Sequence, residues 1–185
     1  MDIGELSYRE YLDGDEQGLV RIIRDFRDGL ILYLNSIVGN ITVAEELCED
    51  TFVRLGVKRP RYSGKAAFKT WLYTIAHNIA IDHLRKVARA RTVPLDECGE
   101  IAADEAYLEG SCIREETKIT VHRTMARLKA EYRQVLWLVY FEEMSVKDAA
   151  GVMKKSPHAT EMLVHRAKLA LKRELESEGF IYEEL

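Results

Sequence analysis

Apolar residues recur at three- and four-residue intervals along almost the whole chain, and no stretch of useful length alternates polar with apolar. A half-buried strand needs that period of two, so the pattern confines the chain to an all-α fold. The spacing predicts helices over 5–12, 15–38, 42–57, 67–90, 113–129, 131–142, 145–153 and 157–177. Local chemistry marks several of the ends. Gly39-Asn40 breaks the second helix and Thr42 is placed to cap the third. Ser156-Pro157 reads as a helix start, with Ser as the cap and Pro where its missing N–H costs nothing.

Between these helices lie two different kinds of connection. "KRPRYSGKAA", 58–67, is a basic loop holding Pro60 and Gly64. "TVPLDECGEIAADEAYLEGSC", 92–112, is acidic, contains Pro94 and two glycines, and reads as an interdomain linker. The expected organisation is therefore a helical domain over 1–91, an acidic linker over 92–112, a helix-turn-helix domain over 113–178 and an acidic tail over 179–185. A chain of 185 residues with 47% hydrophobic content is long enough for two such small cores.

Several function classes drop away. The longest apolar run, "VLWLVYF" at 135–141, is far short of the ~20 residues a membrane span requires. The opening "MDIGELSYREY" has acids and no apolar run, so no secretory signal is expected. Cys48, Cys98 and Cys112 are odd in number and not in C-x-x-C spacing, which argues against disulfides and a zinc site and fits a reducing cytoplasm. There is no Gly-rich phosphate loop, H-E-x-x-H pair or G-x-S-x-G elbow, so an enzyme is not expected, and neither is a cofactor. His77, His83, His122, His158 and His165 lack metal-ligand spacing and are expected at the surface or facing nucleic acid.

The net charge of −4 and the pI near 5.8 suggest a poor partner for a polyanion. Their distribution says otherwise. Residues 54–91 hold 10 basic groups and one acid, and residues 118–173 hold 12 basic groups and five acids. The acids collect in 1–53, 92–117 and 174–185. Phosphate binding responds to the local cluster, because counterion release depends on the phosphates contacted and not on whole-chain charge.

Each basic segment carries its own arrangement. In "FKTWLYTIAHNIAIDHLRK", 68–86, Phe68, Leu72, Ile75 and Ile79 form one apolar stripe, while Tyr73, Ile81 and Leu84 form a second. Between them lie Trp71, Asn78, Asp82 and Arg85, and the preceding loop adds Lys58, Arg59, Arg61, Tyr62 and Lys65. Cations that track a backbone, interleaved with rings on which bases stack, are what single-stranded nucleic acid requires. Tyr73 on its own fits a core position better. In "SVKDAAGVMKKSPHATEMLVHRAKLALKREL", 145–175, Ala149, Ala150 and Met153 on one helix face Thr160, Val164 and Ala167 on the next, with Val135, Leu136, Leu138 and Val139 as scaffold. That is a helix-turn-helix whose second helix would enter the major groove.

The order of these pieces resembles the extracytoplasmic-function sigma factors of bacterial RNA polymerase, on the residues "AEELCEDTF", "YSGKAAFKTWLYTIAHNIAIDHLRK" and "LKAEYRQVLWLVYFEEMSVKDAAGVMKKSPHATEMLVHRAK". The resemblance implies a non-enzymatic protein that binds core RNA polymerase and reads two elements of promoter DNA, in a family whose members are often held inactive by an anti-sigma factor. It implies Glu46, Glu49, Asp50 and Phe52 as polymerase-binding residues, and a loop around Tyr62–Ala67 that captures an unstacked base of the minus-ten element. Trp71, Asn78 and Arg85 fall in its melting and minus-ten-reading helix. Lys155, His158, Glu161, Met162, His165, Arg166 and Lys168 fall in or beside its minus-thirty-five reader.

The departures from the family pattern are local. Lys154 stands where the family usually has Gly, Lys155 where it has an apolar residue, and His77 where Arg commonly precedes the Asn. Glu161 and Leu163 replace commonly basic positions. An acid can accept a hydrogen bond from cytosine's amino group, so Glu161 is expected to read a base; Leu163 is expected to pack inward. Two other readings remain open at this level: a helix-turn-helix regulator that never joins polymerase, and a sigma-like protein that only sequesters a partner.

Overall fold

A computed structural model of the chain describes residues 2–91, 121 and 123–177. Its first module contains α1 (Ile3–Leu12), α2 (Glu16–Val38), α3 (Ile41–Lys58) and α4 (Phe68–Arg91). The second contains α5 (Ala130–Leu136), which continues as a π-helical turn over Trp137–Phe141, then α6 (Val146–Met153) and α7 (Pro157–Ser177). The linker expected at 92–112, the tail at 179–185 and most of the helix expected at 113–129 lie outside the described residues; 121 and 123–126 are helical. Every element described is helical, as the periodicity requires.

Caps set the boundaries. Gly39 ends α2 in the left-handed region at φ 69, where a residue without Cβ is unstrained. The residue capping α3 is Asn40, whose Oδ1 accepts from Val43 N–H at 3.0 Å, and not Thr42 as the sequence suggested. Asn40 precedes the first helical residue in an extended conformation, and only from there does a short side chain reach the third N–H. Asp2 serves two helices: one carboxylate oxygen accepts from Gly4 N–H at 3.2 Å and the other from Phe68 N–H at 3.1 Å. Ser145 caps α6 through Asp148 N–H, and Ser156 Oγ accepts from Ala159 N–H at 3.1 Å to start α7.

Helix α2 packs on both α1 and α3, and α4 closes the first module against all three. Along α4, Phe68, Leu72, Tyr73, Ala76, His77 and Ala80 are buried, while Ile75, Ile79, Ile81 and Leu84 are half-buried. Side chains such as Phe68 and Leu72, buried completely, each contribute about 1.5–3 kcal/mol. The alanines let neighbouring helices approach closely. In the second module α5 packs on α7, and Ala149, Ala150 and Val152 of α6 are buried with Thr160, Leu163 and Ala167 of α7. The two modules are not separate beads. Helix α4 packs against α6, α2 packs against α5, and one hydrophobic cluster runs from Tyr8 through Tyr33 and Leu72 to Leu138 and Val152.

Candidate nucleic-acid interface

The basic loop is held down by tyrosines. Tyr8 donates its hydroxyl to the Pro60 carbonyl at 2.7 Å, Tyr11 to the Gly56 carbonyl at 2.8 Å, and Tyr62 to the Ala66 carbonyl at 2.6 Å. Arg59 leaves α3 in the left-handed region at φ 44 and lays its guanidinium 4.9 Å from the centre of the Tyr11 ring. Lys58, Arg59, Arg61 and Lys65 are all exposed. Tyr62 is half-buried, its ring 5.2 Å from Trp71 and 5.7 Å edge-on to Phe68. Burial raises its hydroxyl pKa, with Glu5 and Asp2 adding to the effect. Trp71, also half-buried, sits 5.2 Å from Tyr8 and 5.4 Å from Phe68. The loop thus presents cations around a partly open aromatic nest.

Trp71 and Arg85 are fourteen positions apart on α4, so about 21 Å separates the nest from the far end of the stripe. At that far end Asn78 is half-buried, and Asp82 and Arg85 are exposed and paired at 3.2 Å. These three line a cleft of about 400 Å³ whose opposite wall is Glu131 and Gln134 of α5 with Lys154 and Lys155 of the helix-turn-helix turn. Lys155 is half-buried and its ammonium lies 2.9 Å from Glu131. Residues that the family resemblance alone links to two different DNA elements therefore line one cleft.

His77 corrects an expectation. It is buried, and its Nδ1 lies 2.9 Å from the Tyr33 hydroxyl. Burial pushes the Tyr33 hydroxyl above its usual range, so it donates and Nδ1 accepts. Burial, reinforced by the Lys154 and Lys155 cations, lowers the imidazole from 6.5 to about 4. His77 lies four residues after Tyr73, on the same buried face, and that spacing was the overlooked signal.

On α7 the residues His158, Glu161, Met162, His165, Arg166 and Lys168 are all exposed, and Leu163 is buried. His158, Glu161, Met162 and His165 fall within about 100° of one another on the helical wheel. Lys154 adopts the left-handed region at φ 55. Lys168 places its ammonium 5.7 Å from the Tyr140 ring centre. Leu169, exposed on the same face of α7, was not anticipated.

Helix α3 carries the third candidate surface. Glu46, Glu49 and Asp50 are exposed, whereas Phe52 is buried at 7% and belongs to the core. Val53 and Val57 are exposed at 59% and 72% and continue the line of Glu46 and Asp50 at helical spacing. They were legible as i+7 and i+11 partners of Glu46, but apolar residues on a helix are read first as core.

Residues 22–90 match Sigma-70 region 2, and residues 118–171 match Sigma-70 region 4. The chain is 26% identical to "ECF RNA polymerase sigma factor SigW" of Bacillus subtilis, over 88% of this chain and 91% of that protein. It is 27% identical to "RNA polymerase sigma-H factor" of Pseudomonas aeruginosa, over 88% and 89%. In fold it resembles CnrH, solved in complex with the cytosolic domain of CnrY, with a TM-score of 0.65 at 20% identity over 95% of this chain and 99% of that one. RpoE of Bartonella quintana, solved with the anti-sigma factor NepR, gives the same score at 19% identity over 87% and 96%. No described helix is long and apolar enough to cross a membrane. With both sigma regions present in order, and with relatives that span nearly its full length, the chain belongs to the extracytoplasmic-function sigma factors, non-enzymatic proteins that bind RNA polymerase and direct promoter-specific initiation.

Proposed function

We propose a division of this work among the three surfaces. The exposed stripe Glu46, Glu49, Asp50, Val53 and Val57 of α3 grips core polymerase, and buried Phe52 fixes the helix beneath it. Acids flanking two apolar residues suit a partner surface with a basic rim and an apolar centre. The loop cations Lys58, Arg59, Arg61 and Lys65 track the phosphates of the separated strand. Tyr62 and Trp71 offer faces for an unstacked base, and Asn78 and Arg85 continue the path along α4. Base capture carries an unpairing cost of about a few kcal/mol, offset by stacking and edge contacts.

Helix α7 reads the minus-thirty-five element through His158, Glu161, Met162 and His165, while Lys155, Arg166 and Lys168 engage the backbone. The domains extend beyond the two matched regions, 22–90 and 118–171, to 1–91 and 113–178, and the acidic linker 92–112 threads a basic channel of polymerase in place of nucleic acid. The work takes place in the cytoplasm. An anti-sigma partner fits the same picture, since RpoE was solved with the anti-sigma factor NepR and CnrH with the cytosolic domain of CnrY.

The observation that carries the division is the burial pattern. On α3 and α7 the candidate residues other than Phe52 point outward, and at both sites the apolar positions beneath them are filled. Run-off transcription with core polymerase over a promoter library tests it. Trp71→Ala is expected to impair opening and Glu161→Ala to alter the minus-thirty-five preference. Transcripts whose start sites and yields are indifferent to both changes would overturn the assignment.

A further inference from the structure

A short stretch of the second module departs twice from regular backbone. The π turn Trp137–Phe141 closes with Glu142 N–H donating to the Trp137 carbonyl at 3.0 Å. Next, Glu143 adopts φ 53, a left-handed conformation that a residue with Cβ rarely takes. Such features collect where the placement of a side chain matters more than local backbone energy.

Their joint effect is to aim Glu142 out of its own module and into the seam with the first. Its side chain is only 9% exposed. One carboxylate oxygen lies 2.6 Å from Lys69 Nζ, the other accepts from the Trp137 indole N–H at 3.1 Å, and the Tyr73 hydroxyl donates to the same group. Lys69 also donates to the Glu142 carbonyl at 2.9 Å. Room for this cluster comes from Gly29 on α2, where a Cβ would stand 2.6 Å from both Glu142 Oε1 and the Tyr73 hydroxyl. A charge so enclosed is tolerated only because it is paired and hydrogen-bonded, and each of its partners is therefore held firmly.

Lys69 and Tyr73 belong to α4, the helix whose other end carries Asn78, Asp82 and Arg85. While Glu142 is engaged, α6 and the Lys154-Lys155 turn stay packed across that end. A DNA strand running along α4 toward Asn78 meets the second module as the opposite wall of the cleft. We propose that Glu142 is an intramolecular latch: its contacts with Lys69 and Tyr73 hold the second module over the Asn78–Arg85 end of α4, closing the free chain to promoter DNA until they are released. The inference rests on the reading of α4 as a promoter-facing helix.

The test uses the full chain, with Glu142→Gln, which removes the charge, and Gly29→Leu, which wedges the seam while favouring the helix that contains it. Small-angle X-ray scattering gives the radius of gyration, and fluorescence anisotropy gives the affinity for a labelled mixed-sequence single-stranded DNA. Both variants are expected to expand relative to the wild type. If the closed form outweighs the open one by about ten to one, opening tightens DNA binding by about tenfold, because apparent affinity scales with the competent fraction. Expansion with tightened binding supports the latch. Expansion with unchanged DNA affinity supports the latch as a closure and refutes instead the promoter-facing role of α4. Should either variant remain helical by circular dichroism yet as compact as the wild type, the latch is overturned; Gly29→Leu decides if Glu142→Gln does not fold.

Discussion

Acidification from about pH 7.5 to about pH 5 is expected to weaken the fold through His77. The imidazole is buried against the Tyr33 hydroxyl, and burial together with Lys154 and Lys155 holds its pKa at about 4, against 6.5 in an unfolded chain. Between those values the unfolded chain binds the proton and the folded chain does not, so stability falls as pH drops through 6.5 and the loss levels off below 4. One pH unit of difference is worth about 1.4 kcal/mol, and at pH 5 the unfolded imidazole is almost fully protonated while the folded one is almost neutral. The loss from this one group is then about 2 kcal/mol, a large part of the stability of a small domain.

Other groups titrate over the same range, so the measurement has to be a difference. His77→Gln keeps an acceptor for the Tyr33 hydroxyl but cannot be protonated. Urea unfolding followed by circular dichroism at both pH values should show the wild type losing about 2 kcal/mol more than the variant. Equal losses in the two proteins would refute the argument, and so would a proton NMR titration in which the His77 ring titrates near its unfolded value.

Three further outcomes are expected. Lys154→Gly relieves a left-handed residue at φ 55 and should stabilise the second module by about 1 kcal/mol, read as a higher thermal midpoint; a lower one would show that the lysine side chain contributes more than its backbone costs. Ser156→Ala removes the acceptor for Ala159 N–H and should cost about 1 kcal/mol in urea unfolding, with no loss counting against the cap. Glu161→Ala should relax base preference at one minus-thirty-five position; selection from a randomised site checks this, and an unchanged preference at every position removes Glu161 as a reader.

What could be read in advance followed from local chemistry. Helix α7 begins at Pro157 as its Ser-Pro start demands, and Leu163 packs inward because it shares a face with Thr160 and Ala167. Tyr73 is core for the same reason. Phase was harder where the pattern lost contrast. "VLWLVYF" is apolar at every position, so nothing in it marks the switch from α to π hydrogen bonding. Asn40 and Thr42 are both good caps, and choosing between them takes the position of the first helical residue, which periodicity locates only to within a residue or two. The Glu142–Lys69 contact joins residues 73 apart in sequence. No local rule carries that distance, and without it the two modules read as beads on a string.

The non-glycine residues with positive φ make the same point from the opposite side. Among the described residues these are Arg59, Glu143 and Lys154. Each is a long charged side chain in a conformation that costs about 1–2 kcal/mol relative to the right-handed alternative, and glycine would remove that cost. Their locations are not scattered. Arg59 opens the basic loop, Glu143 follows the buried acid in the seam, and Lys154 stands on the wall of the cleft opposite Asn78 and Arg85. A glycine at Arg59 or Lys154 would also delete a cation from a surface that has to meet phosphate. Backbone strain retained beside candidate interfaces is what a fold shows when local preference has yielded to the placement of charge. The overall charge of −4 is therefore no guide to how this chain meets DNA, because its cations are held at chosen places, some at the expense of the backbone that carries them.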